Sequence, residues 1–407
     1  MVASDGDALG LYISIPFCRS KCTYCNFASG VYPASEHARY VARLIEDLRA
    51  AGDWAARIGA ALPRRVDTVY LGGGTPTLLA PGLLARMFAA VRTEFDLDTD
   101  AEITVECAPG QLADETLSAL IQAGVNRFSL GVQSFVDREA AASGRLHNRA
   151  TVEEDARRLR AVGIVNLSID LIAGLAGQTF ASWDESLAAL IGSGVPHASV
   201  YMLEVDEDSR LGREVLAHGV RYHAGLVPSD DAIAQMYSMA IERLGAAGLN
   251  QYEISNLCRP GFASRHNLRY WQRRPYLGLG LDASSMLRAA SWGGDVLRAT
   301  TTDDLGAYLA GSQPAETTWL SPRRQHEEAW FLGLRLNEGV EIAGLEREFG
   351  PAMTGPALET VARLVKAGLL TSDGQTARLT ARGQLLSNDV FQEFLGPAEI
   401  PLKTDGG

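Results

Sequence analysis

The sequence predicts an α/β fold: a partial (β/α)6 barrel, then an α+β region, then a small winged-helix-like domain. Two observations predict the barrel. Short apolar runs alternate with helical patterns through the first half, which indicates βαβ units and a parallel sheet. The residues of chemical interest fall where the apolar runs end, and barrels gather their chemistry at the carboxyl ends of their strands.

Six strands are predicted from the short apolar runs: Leu11–Phe17, Thr68–Leu71, Glu102–Glu106, Arg127–Gly131, Asn166–Ile172 and Ala198–Leu203. The helical patterns between them include Glu36–Ala51, Pro81–Phe95, Asp114–Ala123, Thr151–Val162 and Phe180–Ile191. About six such units fit a partial barrel.

The regular alternation stops after about residue 205. An amphipathic helix is predicted at Asp230–Gly248, and a loop-rich stretch follows it. From about Ser321 the pattern is helical again and ends in a possible β-wing and a last helix. We therefore predict a tail at residues 1–10, the barrel at 11–205, an α+β extension at 206–320 and a winged-helix-like domain at 321–407.

Composition narrows the class of protein. The 407 residues allow two to three domains at about 100–200 residues each. The net charge of −12 and the lack of a basic patch argue against a nucleic-acid partner, so the last domain is better read as a packing or lid domain. No apolar run reaches the roughly 18–20 residues of a membrane span. The N-terminal residues lack the features of a signal peptide, and five cysteines form no disulfide framework. A cytoplasmic location is expected.

Three cysteines near the N-terminus are the most informative feature. Cys18, Cys22 and Cys25 have the spacing C-x3-C-x2-C and directly follow a β-type run. A single zinc ion would usually take a fourth ligand nearby, and the sequence offers none there, although zinc or a chance grouping stays an alternative. A [4Fe-4S] cluster normally takes four thiolates, so three leave one iron open for a small molecule. The spacing resembles that of the radical S-adenosylmethionine (SAM) family, in which SAM chelates the open iron.

Further polar residues stand at or beside the ends of the later strands. The second strand ends in a glycine-rich turn, GGGTPT, where backbone groups are open to close approach by a ligand. Glu106 ends the third strand, with a surface salt bridge as the alternative reading. Gln133, Arg145 and Asp170 are polar in or beside mainly apolar segments, where a purely structural role is less favoured.

The resemblance to radical SAM proteins assigns roles to these residues. Gly73, Gly74 and Thr75 match the turn that holds the amino group of SAM, and Glu106 suits the ribose hydroxyls. Arg145 would pair with the SAM carboxylate. Tyr12 and Tyr24 flank the cysteines and would stack or hydrogen-bond near the cluster, with core packing as an equal alternative.

The motifs IPFC, CNF, GGGTPT, LGVQSF, IDLIAGL, QYEISN, HNLRYW and LTARGQLLSN resemble the branch of radical SAM proteins that is like the oxygen-independent coproporphyrinogen III oxidases. The match runs from about Leu11 to Phe394. The oxidases carry a further cysteine where this chain has Phe27, and a longer segment before the cluster; both departures favour the heme chaperones of the branch. The resemblance implies a protein that binds heme and inserts it into acceptor hemoproteins, using the cluster, SAM and an electron donor such as a flavodoxin or ferredoxin.

His266, in HNLRYW, is the best candidate for a heme ligand, because imidazole is a common axial ligand. Tyr270 and Trp271 would pack on the porphyrin. The alternative is a structural histidine. The family usually has A-H-S where this chain has Ala283, Ser284 and Ser285, so one histidine of the pattern is missing.

Three functions compete. A heme chaperone predicts tight heme binding without porphyrinogen turnover. A coproporphyrinogen III oxidase predicts oxidative decarboxylation of that substrate. A radical SAM methyltransferase predicts consumption of SAM as a methyl donor. The missing fourth cysteine separates the first from the second.

Overall fold

The computed structural model describes residues 8–290, 294–311 and 316–396. Its strands are β1 (Leu9–Ile15), β2 (Ala60–Ala61), β3 (Arg65–Gly73), β4 (Asp96–Cys107), β5 (Arg127–Gln133), β6 (Asn166–Ala173), β7 (His197–Met202), β8 (Asn250–Glu253), β9 (Asn256–Cys258), β10 (Tyr276–Leu279), β11 (Ser284–Ala289), β12 (Val296–Thr300), β13 (Glu316–Leu320), β14 (Val340–Glu341), β15 (Leu370–Ser372) and β16 (Thr376–Leu379).

The α-helices are α1 (Ala34–Arg57), α2 (Pro81–Glu94), α3 (Asp114–Gln122), α4 (Asp137–Ala142), α5 (Arg149–Ala161), α6 (Phe180–Ser193), α7 (Arg210–Leu216), α8 (Asp230–Ala246), α9 (Arg265–Trp271), α10 (Leu305–Leu309), α11 (Pro322–Gly333), α12 (Ile342–Phe349), α13 (Pro351–Lys366), α14 (Ala381–Leu385) and α15 (Ser387–Gln392). Short 3-10 helices lie at Pro76–Leu78 and Arg221–Leu226.

The predicted partial barrel is confirmed. β1, β3, β4, β5, β6 and β7 lie side by side in chain order and pair in parallel. The sheet runs on beyond them to β13 at one end and β8 at the other, so it stays open. All six predicted strands form; β4 begins at Asp96 instead of Glu102, because its charged start continues the parallel pairing with β3.

The two faces of the barrel strands differ in chemistry. In β1 the side chains of Leu11, Ile13 and Ile15 are fully buried, whereas Tyr12 and Ser14 alternate with them on the other face. Polar side chains of neighbouring strands hydrogen-bond across that second face, as Ser129 does with Asp170. Since successive strand residues point to opposite sides, the barrel has an apolar outside beneath its helices and a polar interior.

The chain folds as two compact units. One comprises Met1–Tyr270 and Arg274–Trp319, and the other comprises Trp271–Arg273 and Leu320–Gly407. Residues of the predicted α+β extension build β10 to β12, and β10 pairs in parallel with β1. The extension therefore shares a sheet with the barrel.

The second unit combines helices with a small sheet. β14, β16 and β15 form a three-stranded antiparallel sheet beside α11 to α15. Trp330 of α11 is fully buried and stacks on Phe394 with ring centres 4.9 Å apart. A winged-helix-like domain stays the prediction for this region, which here consists of short helices and one small antiparallel sheet.

Helix boundaries follow local rules. Thr179 and Ser182 form a capping box at the start of α6, and Gly194 ends that helix with φ +69°. Ser229 caps α8. Within the described ranges no helix has both the length and the apolar character needed to cross a membrane.

Candidate cofactor site

The three cysteines lie on a loop between β1 and α1 that is closed on itself. The backbone N–H of Cys18 donates to the Gly30 carbonyl at 2.9 Å, and the N–H of Gly30 donates to the Pro16 carbonyl at 2.9 Å. The N–H of Cys25 donates to the Cys22 carbonyl at 3.3 Å. All three cysteines are partly exposed and none is in a disulfide. The loop thus presents three free thiols at the carboxyl end of β1.

Later segments of the chain hold this loop in place. The N–H of Thr23 donates to the Ser143 carbonyl at 3.0 Å, and the N–H of Leu211 donates to the Thr23 carbonyl at 2.8 Å. The side chain of Asn26 donates to Asp206 at 2.5 Å. The cysteine loop is therefore positioned by the segments that follow β5 and β7, which the local spacing could not indicate.

Each thiol has a polar neighbour. Arg145 donates to the Sγ of Cys22 at 3.4 Å, and the hydroxyl of Thr75 lies 3.9 Å from the Sγ of Cys18. The Sγ of Cys25 is 3.9 Å from the hydroxyl of Ser29. Burial raises the pKa of the Cys18 thiol. The cysteine loop therefore has polar groups within reach of all three sulfur atoms.

This donor set fits an iron-sulfur cluster better than a single ion. In the described part of the chain no group of three or more His, Cys, Asp or Glu side chains is arranged to hold one metal ion. Cluster thiolates bind separate irons, so they need not converge on one point.

The glycine turn lies directly against the chain that leads to Cys18. The N–H of Gly74 donates to the Ile15 carbonyl at 2.9 Å, and the N–H of Thr75 donates to the Phe17 carbonyl at 2.7 Å. A Cβ on Gly74 would lie 2.7 Å from the Phe17 carbonyl oxygen. Gly73 has φ +96°. Glycine is required here both for space and for backbone conformation.

Glu106 joins this turn to β4. Its Oε2 accepts from the N–H of Gly73 at 3.2 Å, and its Oε1 accepts from the hydroxyl of Tyr70 at 2.9 Å. Burial, with a smaller contribution from the Asp170 charge, raises the pKa of Glu106 to about 7. The carboxylate is therefore held by polar groups in a partly buried position, and it forms no ion pair within the part of the chain that the structure describes.

Gln133 carries two signs of a ligand-binding residue. It has φ +69°, rare for a residue with a side chain, and the pairing of β5 with β6 shifts register between Gly131 and Gln133. Its Oε1 is buried without a hydrogen-bond partner among the described residues. Buried polar atoms are almost always paired, so a bound molecule would supply the missing donor.

Arg145 and Asp170 lie on the same side of the sheet. Arg145 donates to the Gly131 carbonyl, and a Cβ at Gly131 would lie 2.8 Å from its Nη2 and 3.2 Å from the Nε2 of Gln133. Asp170 accepts from the hydroxyl of Ser129 at 3.0 Å, and burial raises its pKa. The predicted SAM residues of β3 to β6 thus fall at one end of the barrel interior.

The two tyrosines have different surroundings. The ring of Tyr12 lies 6.1 Å from that of Tyr70, inside the barrel. Tyr24 is partly buried and packs against an apolar cluster that includes Leu175, Leu203 and Leu211. Tyr12 therefore faces the interior near Glu106, and Tyr24 anchors the cysteine loop.

His266 lies elsewhere. Its Nδ1 is 2.9 Å from the hydroxyl of Thr68, its Nε2 is 2.8 Å from that of Tyr270, and its side chain is buried. Thr68 lies well before the glycine turn along β3, and Glu102, which accepts from the His266 N–H at 3.1 Å, lies before Glu106 along β4. Burial lowers the pKa of His266 to about 3. The imidazole is neutral with both nitrogens engaged, so iron would have to displace one of these bonds.

Tyr270, Ser284 and the two other cysteines complete the predicted set. Tyr270 packs edge-on against Tyr276 at 4.6 Å. Ser284 is exposed at the start of β11, 3.1 Å from the hydroxyl of Thr300. Cys107 and Cys258 are buried.

Sequence reasoning missed Tyr70 and Ser129. Both lie on the polar face of their strands, in phase with Thr68 and Arg127 respectively, and each bonds a predicted site residue. The alternation of side chains along a strand was the signal that could have identified them.

The sequence matches the Radical SAM superfamily over residues 12–190 and the HemN C-terminal domain over residues 320–386. A solved structure of coproporphyrinogen III oxidase (HemN) from Escherichia coli superimposes with a TM-score of 0.80 at 23% identity, covering 95% of this chain and 90% of that one. That likeness shows the fold.

Full-length sequence relatives narrow the class further. The protein named heme chaperone HemW of Lactococcus lactis is 33% identical over 94% of this chain and 96% of its own length. The HemW of Mycobacterium tuberculosis strain H37Rv is 34% identical over 96% of each chain. This chain is therefore a radical SAM protein of the oxygen-independent coproporphyrinogen III oxidase-like family, within which it groups with the HemW proteins.

Proposed function

We propose that this protein is a heme chaperone that binds heme and passes it to acceptor hemoproteins, with a [4Fe-4S] cluster and SAM as cofactors. One observation carries the proposal: relatives at least 30% identical over nearly the whole chain are named heme chaperone HemW. Phe27, at the position of the additional oxidase cysteine, is 61% exposed and supplies no thiolate.

Cys18, Cys22 and Cys25 would hold the cluster. When bound, the cluster with SAM on its open iron supplies one-electron chemistry on SAM. The free thiols on a closed loop and the glycine turn packed against that loop fit this pair of cofactors. The protein positions the cofactors and limits their access to water.

The surrounding residues would bind and orient SAM. The backbone of Gly73, Gly74 and Thr75 would face its amino group. Ionised Glu106 would accept from its ribose hydroxyls while Tyr70 and the Gly73 N–H hold the carboxylate. The guanidinium of Arg145 would pair with its carboxylate.

Gln133 and Asp170 would contribute the remaining polar contacts. The unpaired Oε1 of Gln133 would accept one hydrogen bond from SAM. Asp170 is held by the hydroxyl of Ser129 in the polar interior beside Glu106. Tyr12 would line the same interior, and Tyr24 would hold the cysteine loop.

Partners and location belong to the same proposal. The cluster would receive electrons from a reduced donor such as a flavodoxin or ferredoxin, in the cytoplasm. Heme is the cargo, and acceptor hemoproteins receive it. A net charge of −12 gives no support for a nucleic-acid partner.

The test is a transfer assay under anaerobic conditions. Protein reconstituted with cluster and loaded with hemin is mixed with heme-depleted membrane vesicles that contain respiratory hemoproteins. The proposal is supported if the respiratory hemoproteins recover more activity than they do with the same concentration of free hemin. The same preparation is given coproporphyrinogen III, SAM and a chemical reductant for the cluster.

The oxidase is the second candidate, because the HemN fold matches over 95% of this chain. If protoporphyrinogen forms and no heme is transferred, the protein is an oxidase and the chaperone proposal is wrong. If the protein neither transfers heme nor turns over porphyrinogen, both fail, and a methyl-transfer assay on SAM follows.

A further inference from the structure

The accessibility of the histidines singles out one segment. All seven histidines of the chain lie within the described residues. The buried ones are His147, His197, His266 and His326. His37 is partly buried and stacks on Phe17 at 4.0 Å. Only His218 and His223 are exposed. The imidazoles most open to heme iron that arrives from solution or from another protein are therefore those of His218 and His223.

The two histidines lie on the stretch from Leu216 to Leu226, here called the histidine segment. It begins at the last residue of α7, and the Leu211 N–H of that helix donates to the Thr23 carbonyl at 2.8 Å. Arg210, at the start of α7, donates to the Lys21 carbonyl. The helix that leads into the histidine segment is thus bonded to the cysteine loop on both sides of Cys22.

The other end of the histidine segment is also attached at the carboxyl end of the barrel. The N–H of Gly177, which follows β6, donates to the Leu226 carbonyl at 2.8 Å. Tyr222 packs against the same apolar cluster as Tyr24, which stands between two of the cysteines. The histidine segment is therefore attached, through α7 and Leu226, to the end of the barrel that carries the cysteine loop.

The surface of the histidine segment suits an amphipathic ligand. Leu216, Val220 and Leu226 are 58%, 87% and 60% exposed, unusual values for large aliphatic side chains close together in sequence. Arg213 and Arg221 are exposed next to them. Apolar surface, imidazoles and cations match the macrocycle, iron and carboxylates of heme respectively.

The backbone of the segment is held in an uncommon conformation. His218, Tyr222 and His223 have φ values of +53°, +55° and +58°, which side chains with a Cβ seldom adopt. Such conformations persist only where the surroundings enforce them, and they cluster at ligand-binding sites. Next to His223, the side chain of Tyr222 packs against the apolar cluster and so holds this part of the segment on the barrel unit.

We propose that the histidine segment is the heme-docking face of this protein, with His223 or His218 as axial ligand, the exposed aliphatic side chains on the macrocycle and Arg213 and Arg221 toward the propionates. This rests on the proposed heme-chaperone function. The proposed heme site is therefore not at His266 but at the end of the barrel that carries the cysteine loop.

The test is an anaerobic titration of cluster-reconstituted, full-length protein with hemin, followed by the Soret band and the spin state of the iron. The variants are His218→Ala, His223→Ala and the double variant, with His266→Ala as the comparison. Iron content, cluster absorption and SAM binding are measured for each, because none of these should change when exposed histidines are removed.

We expect the double variant to raise the hemin dissociation constant by about tenfold or more and to change the iron ligation. Free imidazole should restore the low-spin spectrum. If the double variant binds hemin with the affinity and spectrum of the wild type, the proposed docking face is wrong. The proposed heme-chaperone function is not affected by that result. A wild type without saturable hemin binding would overturn both.

If Leu216→Ser with Val220→Ser weakens binding while the iron ligation stays the same, the aliphatic contacts are established separately from the ligand. If that pair of substitutions leaves affinity unchanged, the macrocycle does not lie on this face, and the proposal is wrong in that respect.

Discussion

Two regions of the barrel unit that both contain conspicuous motifs differ in how fully their polar groups are paired. At the carboxyl ends of the strands, the three cysteines are free and partly exposed, and Gln133 Oε1 is buried without a described partner. Around α9, His266 has a partner on each ring nitrogen. Binding a ligand requires polar groups that the protein itself has not satisfied, so the first region is suited to chemistry and the second to structure.

Arg269 shows how α9 is held. It is fully buried, forms an ion pair with Asp67, and donates to the carbonyls of Ala8 and Pro275 at 2.8 and 2.9 Å. A Cβ on Gly10 would lie 2.5 Å from its Cδ. The motif HNLRYW thus contains the residues that fasten α9 to β1 and β3.

The largest effect expected from this comparison is at the cluster. Cys22→Ala should abolish the visible absorption of the reconstituted protein and most of its bound iron, because two thiolates cannot replace three. The matched control is Cys258→Ala, a cysteine outside the loop, which should keep both. Iron and sulfide analysis with absorption spectra measures the difference; a full cluster in Cys22→Ala would contradict the assignment.

Breaking the α9 anchor should affect stability and leave the cofactors alone. Arg269→Ala removes a buried charge from Asp67, and we expect a loss of about 3 kcal/mol in the free energy of unfolding. Arg274, 3.0 Å from Asp67, limits the loss. Urea unfolding measures it. Arg157→Ala, on the exposed face of α5, is the control and should change stability little. If Arg269→Ala loses bound iron but keeps its stability, the structural role given to α9 is wrong.

Tyr70 links the two regions, since its hydroxyl bonds Glu106 and its ring lies 5.3 Å from that of His266. The Glu106 pKa of about 7 predicts that SAM binding strengthens as pH rises through this value, because only the ionised carboxylate is a full acceptor. Tyr70→Phe removes a hydrogen bond that lowers this pKa, so the strengthening should move to higher pH.

At neutral pH, SAM affinity of Tyr70→Phe should fall about tenfold. Calorimetric titration with SAM at several pH values separates this from a structural defect, since a merely loosened site would weaken binding equally at every pH. Tyr276→Phe, on β10, which β1 separates from the strand of Tyr70, is the control. If the pH dependence of SAM affinity is the same in Tyr70→Phe as in the wild type, Tyr70 does not act on the SAM site through Glu106.

The smallest expected effect is that of His266→Ala on heme. Because the imidazole is buried and both nitrogens are bonded, its loss should lower stability by about 1–3 kcal/mol and leave hemin affinity unchanged. Hemin titration and urea unfolding on the same preparation test both parts. If His266→Ala weakens hemin binding while stability is unchanged, α9 takes part in heme binding. The distinction between a cofactor-binding region and a structural α9 region would then be wrong.

Much of the cofactor site could be predicted because it consists of short-range features. The spacing of Cys18, Cys22 and Cys25 lies within one loop, and the glycine turn is a continuous stretch after one strand. Glu106 and Asp170 could be placed because parallel strands bring their carboxyl ends to one edge. Alternation along the strands could have marked Tyr70 and Ser129 as residues of the barrel interior. Which carboxylate each hydroxyl bonds could not be predicted, because these hydrogen bonds run between neighbouring strands.

By itself, the sequence determined the six βα units, the cysteine loop and the membership of the family, since these depend on local periodicity, spacing and motifs. Only the tertiary structure decided that β10 joins the barrel sheet beside β1, that both ring nitrogens of His266 have partners and that α7 is bonded to the cysteine loop. Each depends on contacts between residues far apart in the chain. Hydrogen-bond pairing and solvent access decide which polar groups can serve a ligand, and both exist only once the chain is folded.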